Sequence, residues 1–313
     1  MGLIGTELSI SRTLLIGHPG VTWRGWLAEN RGAADLLCLD PADPIQPRPA
    51  QLTLLHEGAP KAWRFFGSVD GFRAPHQLIA GAVRLMESVV GDVLIQAPAY
   101  RPSPLARQTL MLLAEALRPD RVVIGSSVEM RPNAFGPSPE FVELERARSR
   151  KVESAQRKAR WLAFLDCATE QEFLLDRLPM EGARLGSGKP LTRKELDTLL
   201  PGAVHGETLG STLFVVTNEP LDDYHAGRAL DACHATKLHA ARETDYEGLL
   251  CSLVRGSGED FALAIIRKLD FARGAVKLMS DAVPPAPAAG LRIGSLRIDP
   301  AGNERGEIAP WLV

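Results

Sequence analysis

Roughly the first 125 residues alternate between short apolar runs and longer segments of helical periodicity, which restricts the folds open to the chain. The apolar runs that predict strands are Thr13–Ile16, Asp35–Leu39, Ala62–Phe66, Asp92–Ile95 and Arg121–Ile124. Runs that are apolar on both faces are typical of a parallel sheet covered by helices. The helices predicted between them are Trp23–Glu29, Pro75–Val90 and Pro104–Leu117. The alternation therefore predicts a doubly wound α/β domain.

Two helical patterns in this half carry further expectations. In Pro104–Leu117, one apolar face is predicted for Leu105, Thr109, Leu112, Leu113 and Ala116. Farther on, Glu140–Leu165 contains neither Gly nor Pro and is rich in Arg. That stretch predicts a single long helix.

The rest of the chain has a different pattern. Leu174–Pro201 contains several Gly and Pro residues and predicts a connector. Beyond it, short strand-like runs occur at Ser211–Val216, Gly248–Val254, Phe261–Arg267, Ala275–Met279 and Leu291–Ile298. These runs predict a small β-rich domain. The resulting division is residues 1–170, 171–205 and 206–313.

Composition excludes several classes of protein. The 313 residues carry a formal net charge of −2, and 45% are hydrophobic, which argues against global disorder. Overall charge gives no reason to expect nucleic-acid binding, which would need a local basic patch. The four cysteines are scattered, as is usual for reduced thiols. With no membrane-length apolar segment and no signal-like N-terminus, a cytoplasmic location and no membrane partner are expected.

A glycine-bearing turn follows the first predicted strand, in Gly17-His18-Pro19-Gly20-Val21-Thr22-Trp23-Arg24. A strand, a turn of this kind and a helix start form the setting of a phosphate-binding loop. In the motif GxxxxGK[ST], Lys reaches the outer phosphates and Ser/Thr holds Mg²⁺. Counted from Gly17, those last three positions hold Thr22, Trp23 and Arg24. The alternative interpretation is an ordinary strand-to-helix turn.

A second segment, Gly186-Ser187-Gly188-Lys189-Pro190, looks superficially similar. It lacks the first Gly, and Pro190 replaces the Ser/Thr. A flexible linker is the better interpretation.

Carboxylates follow the second predicted strand at Asp40 and Asp43. At the carboxyl end of a parallel strand they would face a ligand, where they can hold a metal or accept a hydroxyl proton. Asp before Pro is also common turn chemistry, and both interpretations stay open. The fourth strand ends in Gln96, a poor Mg²⁺ ligand. Tyr100, which follows it, would either stack on a base or pack in the core.

Basic residues concentrate in the predicted long helix: Arg146, Arg148, Arg150, Lys151, Arg157, Lys158 and Arg160. Ion pairs spaced four residues apart on a solvated face explain much of this pattern. Arg also suits bidentate phosphate contacts, which favours a role toward phosphate. The group His225, Cys233, His234 and His239 has no zinc-site spacing, and no metal site is predicted there.

Several of these stretches, in this order, resemble the polynucleotide 5′-hydroxyl kinases, a family of RNA-processing P-loop proteins. Phe65-Phe66-Gly67-Ser68 and the Pro-led helix with His76 resemble the family's F-x-G-S strand and next helix. Asp92–Tyr100 resembles its strand ending in N/D-T-x-G-W, and Leu112–Val123 its following helix and strand. Leu291–Asp299 resembles its closing C-terminal strand. The resemblance implies a P-loop NTPase-like parallel sheet with flanking helices and a smaller C-terminal β-rich domain.

The resemblance also implies roles for individual residues. Gly17, Gly20, Thr22, Arg24 and Asp40 would line the nucleotide site. Asp43 with Gln46 matches the family's D-x-G-Q, whose Asp helps with metal and hydroxyl activation. Arg148, Arg150 and Arg157 are the candidate lid arginines that clamp phosphate. Tyr100, Arg146, Lys151 and Lys158 are the candidate nucleic-acid contacts.

The departures from the family pattern determine the functional prediction. Phosphoryl transfer depends on positioning and on charge neutralisation by Lys, Mg²⁺ and Arg. Without the loop Lys and Ser/Thr, the sequence predicts a degenerate kinase-like protein that binds RNA or DNA ends, or a protein partner in nucleic-acid processing. Two alternatives stay open: an active kinase that uses ATP and Mg²⁺ through an atypical loop, and a structural scaffold.

Overall fold

The computed structural model describes residues 11–126, 128, 135, 138–147, 149–182, 184–283 and 287–308. The chain divides into two compact units, Met1–Arg160 and Trp161–Val313. Residues 171–205, predicted as a connector, fall inside the second unit.

The first unit mixes helices and strands. Its elements in chain order are β1 (Arg12–Ile16), β2 (Val21–Thr22), α1 (Arg24–Asn30), β3 (Asp35–Cys38), β4 (Gln51–His56), β5 (Ala59–Phe65), α2 (Pro75–Met86), β6 (Val93–Gln96), α3 (Pro104–Leu117), β7 (Arg121–Gly125), β8 (Glu140–Val142), β9 (Glu145–Arg146) and the start of α4 (Arg150–Cys167). The main sheet has the order β5-β4-β3-β6-β1-β7-β8. Strands β3, β6, β1, β7 and β8 are parallel, whereas β4 and β5 form an antiparallel hairpin.

Side chains on both faces of this sheet are buried. Successive side chains along a strand point to opposite faces, so neighbouring residues of one strand enter different cores. Leu14 and Ile16 join a core with Leu78 of α2 and Leu110 of α3. Leu15, between them in the sequence, joins a separate core on the other face that includes α1. The mixed α/β architecture predicted from the alternating pattern is confirmed.

Helix α3 has the predicted bounds. The Ser103 side chain accepts a hydrogen bond from the Ala106 N–H at 3.1 Å, and Pro104 occupies the first helical turn. The predicted apolar face is wrong in part, because Leu105 and Leu112 are 53% and 44% exposed and Ala116 is also exposed. Thr109 and Leu113 of the predicted face are buried, and the other buried residues of the helix are Ala106, Leu110, Ala114 and Leu117. Helix α3 has apolar residues on its exposed face as well, so the spacing of apolar residues does not identify the buried face.

The long helix predicted for Glu140–Leu165 is wrong in its first ten residues. Strand β8 pairs with β7, and β9 pairs antiparallel with β2, so Glu140–Val142 and Glu145–Arg146 are extended, and α4 begins only at Arg150. Pairing with distant strands satisfies the backbone there and overrides the local helical preference. Arg148 lies outside the described residues.

The second unit is richer in strands. After the end of α4, its elements are β10 (Thr169–Leu174), β11 (Met180–Glu181), β12 (Lys189–Pro190), α5 (Arg193–Leu199), β13 (Ala203–Leu209), β14 (Thr212–Thr217), α6 (Asp223–Ala232), β15 (Lys237–Ala241), β16 (Leu249–Val254), β17 (Asp260–Asp270), β18 (Ala275–Ser280), β19 (Gly290–Ile298) and β20 (Glu304–Glu307). One sheet has the order β10-β18-β17-β16-β19-β11, with β20 on β19, and the other has the order β12-β13-β14-β15. The strand runs predicted for this region are present.

Alternation along β14 explains how the two sheets of this unit are buried. Leu213 and Val215 pack with α5 and α6, whereas Phe214 and Val216 join the core of the larger sheet. Within the described part of the chain, no helix is long and apolar enough to cross a bilayer.

Candidate functional site

Three loops leave the same edge of the first sheet, because β1, β3 and β6 are parallel and neighbouring. The loop after β6 is bound to the other two through backbone groups. The Tyr100 N–H donates to the Gly17 carbonyl at 2.8 Å, and the Ala99 N–H donates to Asp40 Oδ2 at 3.1 Å. Ligands of open α/β sheets bind at this carboxyl edge. The glycine loop and the two predicted carboxylates therefore lie where a site is expected.

The glycine loop is held by a small ladder. Gly20 has a φ of +103°, a conformation that L side chains rarely adopt. After it, Val21 pairs with Arg146 and Thr22 with Glu145, and the Ala147 N–H donates to the Gly20 carbonyl at 2.8 Å. The structure thus brings Arg146 next to the loop. Arg24, the first residue of α1, is exposed.

The side chain of Trp23 packs beneath the glycine loop. Its side chain is 4% exposed and packs with Leu15 and Leu27. A Cβ atom built on Gly17 would lie 2.9 Å from the indole Nε1, so the ring lies directly on the glycine. Counted from Gly17, Trp23 stands at the lysine position of a phosphate loop. A buried neutral ring therefore replaces the cation that phosphate binding needs there.

Asp40 and Asp43 each accept hydrogen bonds on both carboxylate oxygens. Asp40 accepts from the N–H groups of Ala42 at 3.0 Å and Ala99 at 3.1 Å. Asp43 accepts from the Ile45 N–H at 2.8 Å and from Gln96 Nε2 at 2.5 Å. Gln96, at the end of β6, is 3% exposed. The side chain that ends β6 is therefore a hydrogen-bond donor to Asp43.

Both carboxyl groups lie in a poorly solvated place, and the charge of Asp43 adds to the proton affinity of Asp40. Burial and the negative charge of Asp43 raise the pKa of Asp40 to about 6. Burial also raises the pKa of Asp43, while hydrogen bonds from Ile45 and Gln96 and the charge of Arg160 oppose the shift. Burial, followed by the charges of Asp43 and Asp40, raises the pKa of the nearby Cys38 thiol well above its usual value.

Gln46 and Arg160 fix the loop that carries this pair. Gln46 Nε2 donates to the carbonyls of Cys38 at 3.0 Å and Asp40 at 3.1 Å. Arg160 Nη1 donates to the carbonyls of Gln46 at 2.9 Å and Asp43 at 3.3 Å. The sequence gives Arg160 only as one of seven basic residues. Nothing in the local sequence pattern distinguishes Arg160 from the other six.

The other residues predicted to contact nucleic acid or phosphate differ in how exposed they are. Tyr100 is 5% exposed and belongs to the core, which leaves little of its ring for stacking. Arg157 is half-buried, whereas Arg150, Lys151 and Lys158 are exposed on α4. Lys151 and Lys158 are seven residues apart and therefore share one helical face. They form no ion pair within the described residues.

The Gly186–Pro190 segment is not a free linker. The N–H groups of Gly186 and Gly188 donate to Glu207 at 2.8 and 2.9 Å, and the next two residues pair with β13. Glu207 is 4% exposed and also accepts from His205 Nε2 at 2.6 Å. The chain thus places its own carboxylate against these backbone donors. Sequence reasoning missed Glu207, because no local pattern links it to the glycines.

The residues of the sheet edge do not fit Mg²⁺ and ATP. The loop offers Trp23 and Arg24 where Lys and Ser/Thr would bind phosphate and metal, and Gln96 presents an N–H group toward Asp43. Among the described residues, no group of three or more His, Cys, Asp and Glu side chains is arranged to hold a metal ion.

Comparisons with known proteins give a likeness of fold. No protein-family model matches the sequence. No curated protein matches it either. Among solved structures, chains of two Clp1p–Pcf11p complexes match, one wild-type and one described for its extended interface and for ATP loss in a point mutant. Each has a TM-score of 0.52 and 12% identity, and covers 94% of this chain and 76% of the matched chain. The chain is thus similar in fold to the chains matched in these complexes.

Proposed function

We propose that this chain is a degenerate polynucleotide 5′-hydroxyl kinase-like protein, which binds nucleic acid or a processing partner and transfers little or no phosphate. The observation that carries the proposal is the buried Trp23 indole against Gly17, at the position of the phosphate-binding lysine. The fold, P-loop NTPase-like in its parallel strands and edge loops, supports the family assignment.

The lost residues are those that phosphoryl transfer cannot spare. The reaction needs cations on the transferred group and a metal bridging its oxygens, and the protein supplies little other chemistry. Trp23 brings no charge, and Arg24 cannot hold Mg²⁺. Restoring the motif would also require removing an indole from a packed core.

The basic residues supply the nucleic-acid part of the proposal. Arg146 beside the glycine loop and Arg150, Lys151 and Lys158 on α4 are exposed cations that can contact backbone phosphates. The matched solved chains come from complexes with a second protein, which supports a protein partner as the other kind of ligand.

One assay tests the loss of phosphoryl transfer. Labelled ATP with Mg²⁺ is titrated onto the full chain, and transfer of the γ-phosphate to 5′-hydroxyl RNA and DNA is measured beside an active polynucleotide kinase. We expect no transfer above background and no Mg²⁺-dependent binding at micromolar ATP. Tight Mg²⁺-dependent ATP binding would overturn the proposal.

A second assay tests nucleic-acid binding. We expect the double variant Lys151→Glu, Lys158→Glu to weaken binding of a labelled single strand and to reduce its salt dependence. The double variant Lys194→Glu, Lys237→Glu makes the same change of charge in the second unit and serves as the control. Equal affinity for the two variants would instead favour the protein partner.

An active kinase with ATP and Mg²⁺ remains the second candidate because of one observation. Burial raises the pKa of Asp43, which suits a group that accepts a hydroxyl proton. Under that function, γ-phosphate transfer would be measurable and would be lost in Asp43→Asn.

A further inference from the structure

Two exposed arginines, Arg101 and Arg146, flank the glycine loop. Arg101 directly follows Tyr100, whose N–H donates to the Gly17 carbonyl at 2.8 Å. Arg146 lies opposite Val21 in the β2–β9 ladder. Neither guanidinium forms a hydrogen bond or an ion pair within the described residues. Two segments that are distant in sequence therefore each bring an uncompensated positive charge beside the same turn. We call this pair the loop arginines.

The pairing of β2 with β9 determines on which side of the ladder Arg146 lies. Residues directly opposite in an antiparallel pair share a face, so Arg146 lies on the face of Val21. That face is turned toward Gly17, because a Cβ atom built on Gly17 would lie 3.4 Å from Val21 Cγ2. The acidic neighbour Glu145 lies on the opposite face, where its Oε1 would be 2.6 Å from a Cβ atom on Gly25. The carboxylate of Glu145 thus faces α1, away from Arg146.

The glycine loop itself offers backbone donors. Gly20 is exposed and His18 is half-buried, and their N–H groups donate to none of the residues that the structure describes. Backbone N–H groups of a turn form anion-binding concavities. Because the Trp23 indole packs beneath the loop, an anion would bind on the outer side, where Gly20 lies.

The carboxylates of this sheet edge oppose anion binding only in part. Asp40 accepts from the N–H groups of Ala42 and Ala99, and the charge of Asp43 is offset by that of Arg160. The loop arginines have no such partners within the described part of the chain. Positive charge therefore remains available beside the loop.

We infer that the loop arginines and the backbone of the glycine loop bind the terminal phosphate monoester of a nucleic-acid strand. The inference rests on the nucleic-acid binding proposed above and names the group that is recognised. A terminal monoester carries about −1.5 to −2 charges at pH 7, whereas an internal phosphodiester carries one. Two guanidinium groups, each suited to bidentate contacts with phosphate oxygens, match the terminal group better.

The connection from the loop to helix α4 favours a strand over free phosphate. The Ala147 N–H donates to the Gly20 carbonyl at 2.8 Å, and α4 begins three residues later at Arg150. Arg150 and Lys151 are exposed in its first turn, and Lys158 follows about two turns later. A strand whose terminal phosphate lies at the loop can therefore place its internal phosphates along these cations.

The test compares one short single strand in three forms: with a 5′-phosphate, with a 3′-phosphate and with hydroxyl groups at both ends. An internal fluorescent label reports binding to the full chain by anisotropy at constant salt. We expect one or both phosphorylated forms to bind at least about fivefold more tightly than the hydroxyl form, and the preferred form shows which end is recognised. The double variant Arg101→Gln, Arg146→Gln should abolish this preference and still bind the hydroxyl form through α4.

The double variant Arg118→Gln, Arg267→Gln is the matched control. It removes two exposed arginines that form no ion pair among the described residues, one at the far end of α3 and one in β17, and it should keep the preference. Equal binding of the three forms by the wild type overturns the inference and leaves the proposed nucleic-acid binding intact. A preference that survives loss of the loop arginines also overturns it. If none of the three forms binds, the inference and the proposed nucleic-acid binding both fail.

Discussion

The indole of Trp23 lies on Gly17, where a Cβ atom would come within 2.9 Å of Nε1. This contact fills the turn after β1, at the position where a phosphate-binding loop needs open space and a cation. In this chain the glycine instead makes room for a ring.

Gly17→Ala tests this contact. We expect the free energy of unfolding to fall by about 1–3 kcal/mol, since the added methyl group overpacks a buried site. Gly227→Ala is the control, because position 227 is in α6 with open space around it and Ala favours the helix there. Chemical denaturation of both variants gives the comparison. Equal stability of the two would contradict the packing.

Asp40→Asn tests the half-buried carboxyl pair Asp40 and Asp43. The folded-state pKa of Asp40, about 6, is above its ordinary value of 3.8, so the native protein binds this proton more tightly than the unfolded chain does. Ionised Asp40 therefore destabilises the fold progressively as pH rises from about 4 through 6. Asn cannot accept from both the Ala42 and Ala99 N–H groups, which adds a cost that is the same at every pH. Relative to the wild type, we therefore expect the stability of the variant to improve by about 1–3 kcal/mol between pH 4 and pH 8. Urea denaturation at both pH values measures it, with Asp231→Asn as the exposed control.

Arg160→Gln tests what holds the loop that carries this pair. The guanidinium donates to the carbonyls of Asp43 and Gln46, so its loss should destabilise the fold by about 1–3 kcal/mol. Faster hydrogen exchange of residues 40–46 is the diagnostic result. Arg150→Gln, exposed on the same helix, should leave exchange in this loop unchanged. Unchanged exchange in Arg160→Gln would show that the loop needs no such contact.

Glu207→Gln tests the carboxylate of the second unit. Burial acts to raise its pKa, but hydrogen bonds from His205, Gly188 and Gly186 outweigh it and hold the pKa below its usual value. Its stabilisation is therefore present at neutral pH and is lost as pH falls below about 4.5. At pH 7 we expect the free energy of unfolding of Glu207→Gln to be about 1.5–3 kcal/mol below that of the wild type. The difference between the two proteins should become smaller in acid. Thermal unfolding beside the exposed control Glu247→Gln checks it, and a loss independent of pH would count against it.

The sequence predicted correctly those features that depend on neighbouring residues in the chain. The bounds of α3 follow from Ser103 and Pro104, a side-chain cap and a residue preorganised for the first turn. The strand β1 follows from an uninterrupted apolar run. The carboxyl-edge position of Asp40 followed from the parallel arrangement, which depends only on the alternation of strands and helices.

What the sequence could not predict depends on distant partners. Glu145 and Arg146 are extended because β2 lies beside them, although their own neighbourhood favours a helix. Leu112 counts as core by its spacing, yet the sheet covers the adjacent face of α3. Arg160 donates to backbone groups more than a hundred residues away in the sequence, and Glu207 accepts from backbone groups about twenty residues away. Nothing in the local sequence pattern identifies either residue.

The hydrogen bonds of Glu207 also bear on how the chain can be engineered. A Gly-Ser-Gly stretch is normally the first choice for a tag, a split site or a circular permutation, because its backbone is expected to be unbound. Opening the chain between Gly186 and Gly188 would deprive a buried carboxylate of two donors at once. Although its composition is that of a spacer, Gly186–Gly188 is therefore a fixed part of the second unit. We expect an insertion there to lower the yield of folded protein.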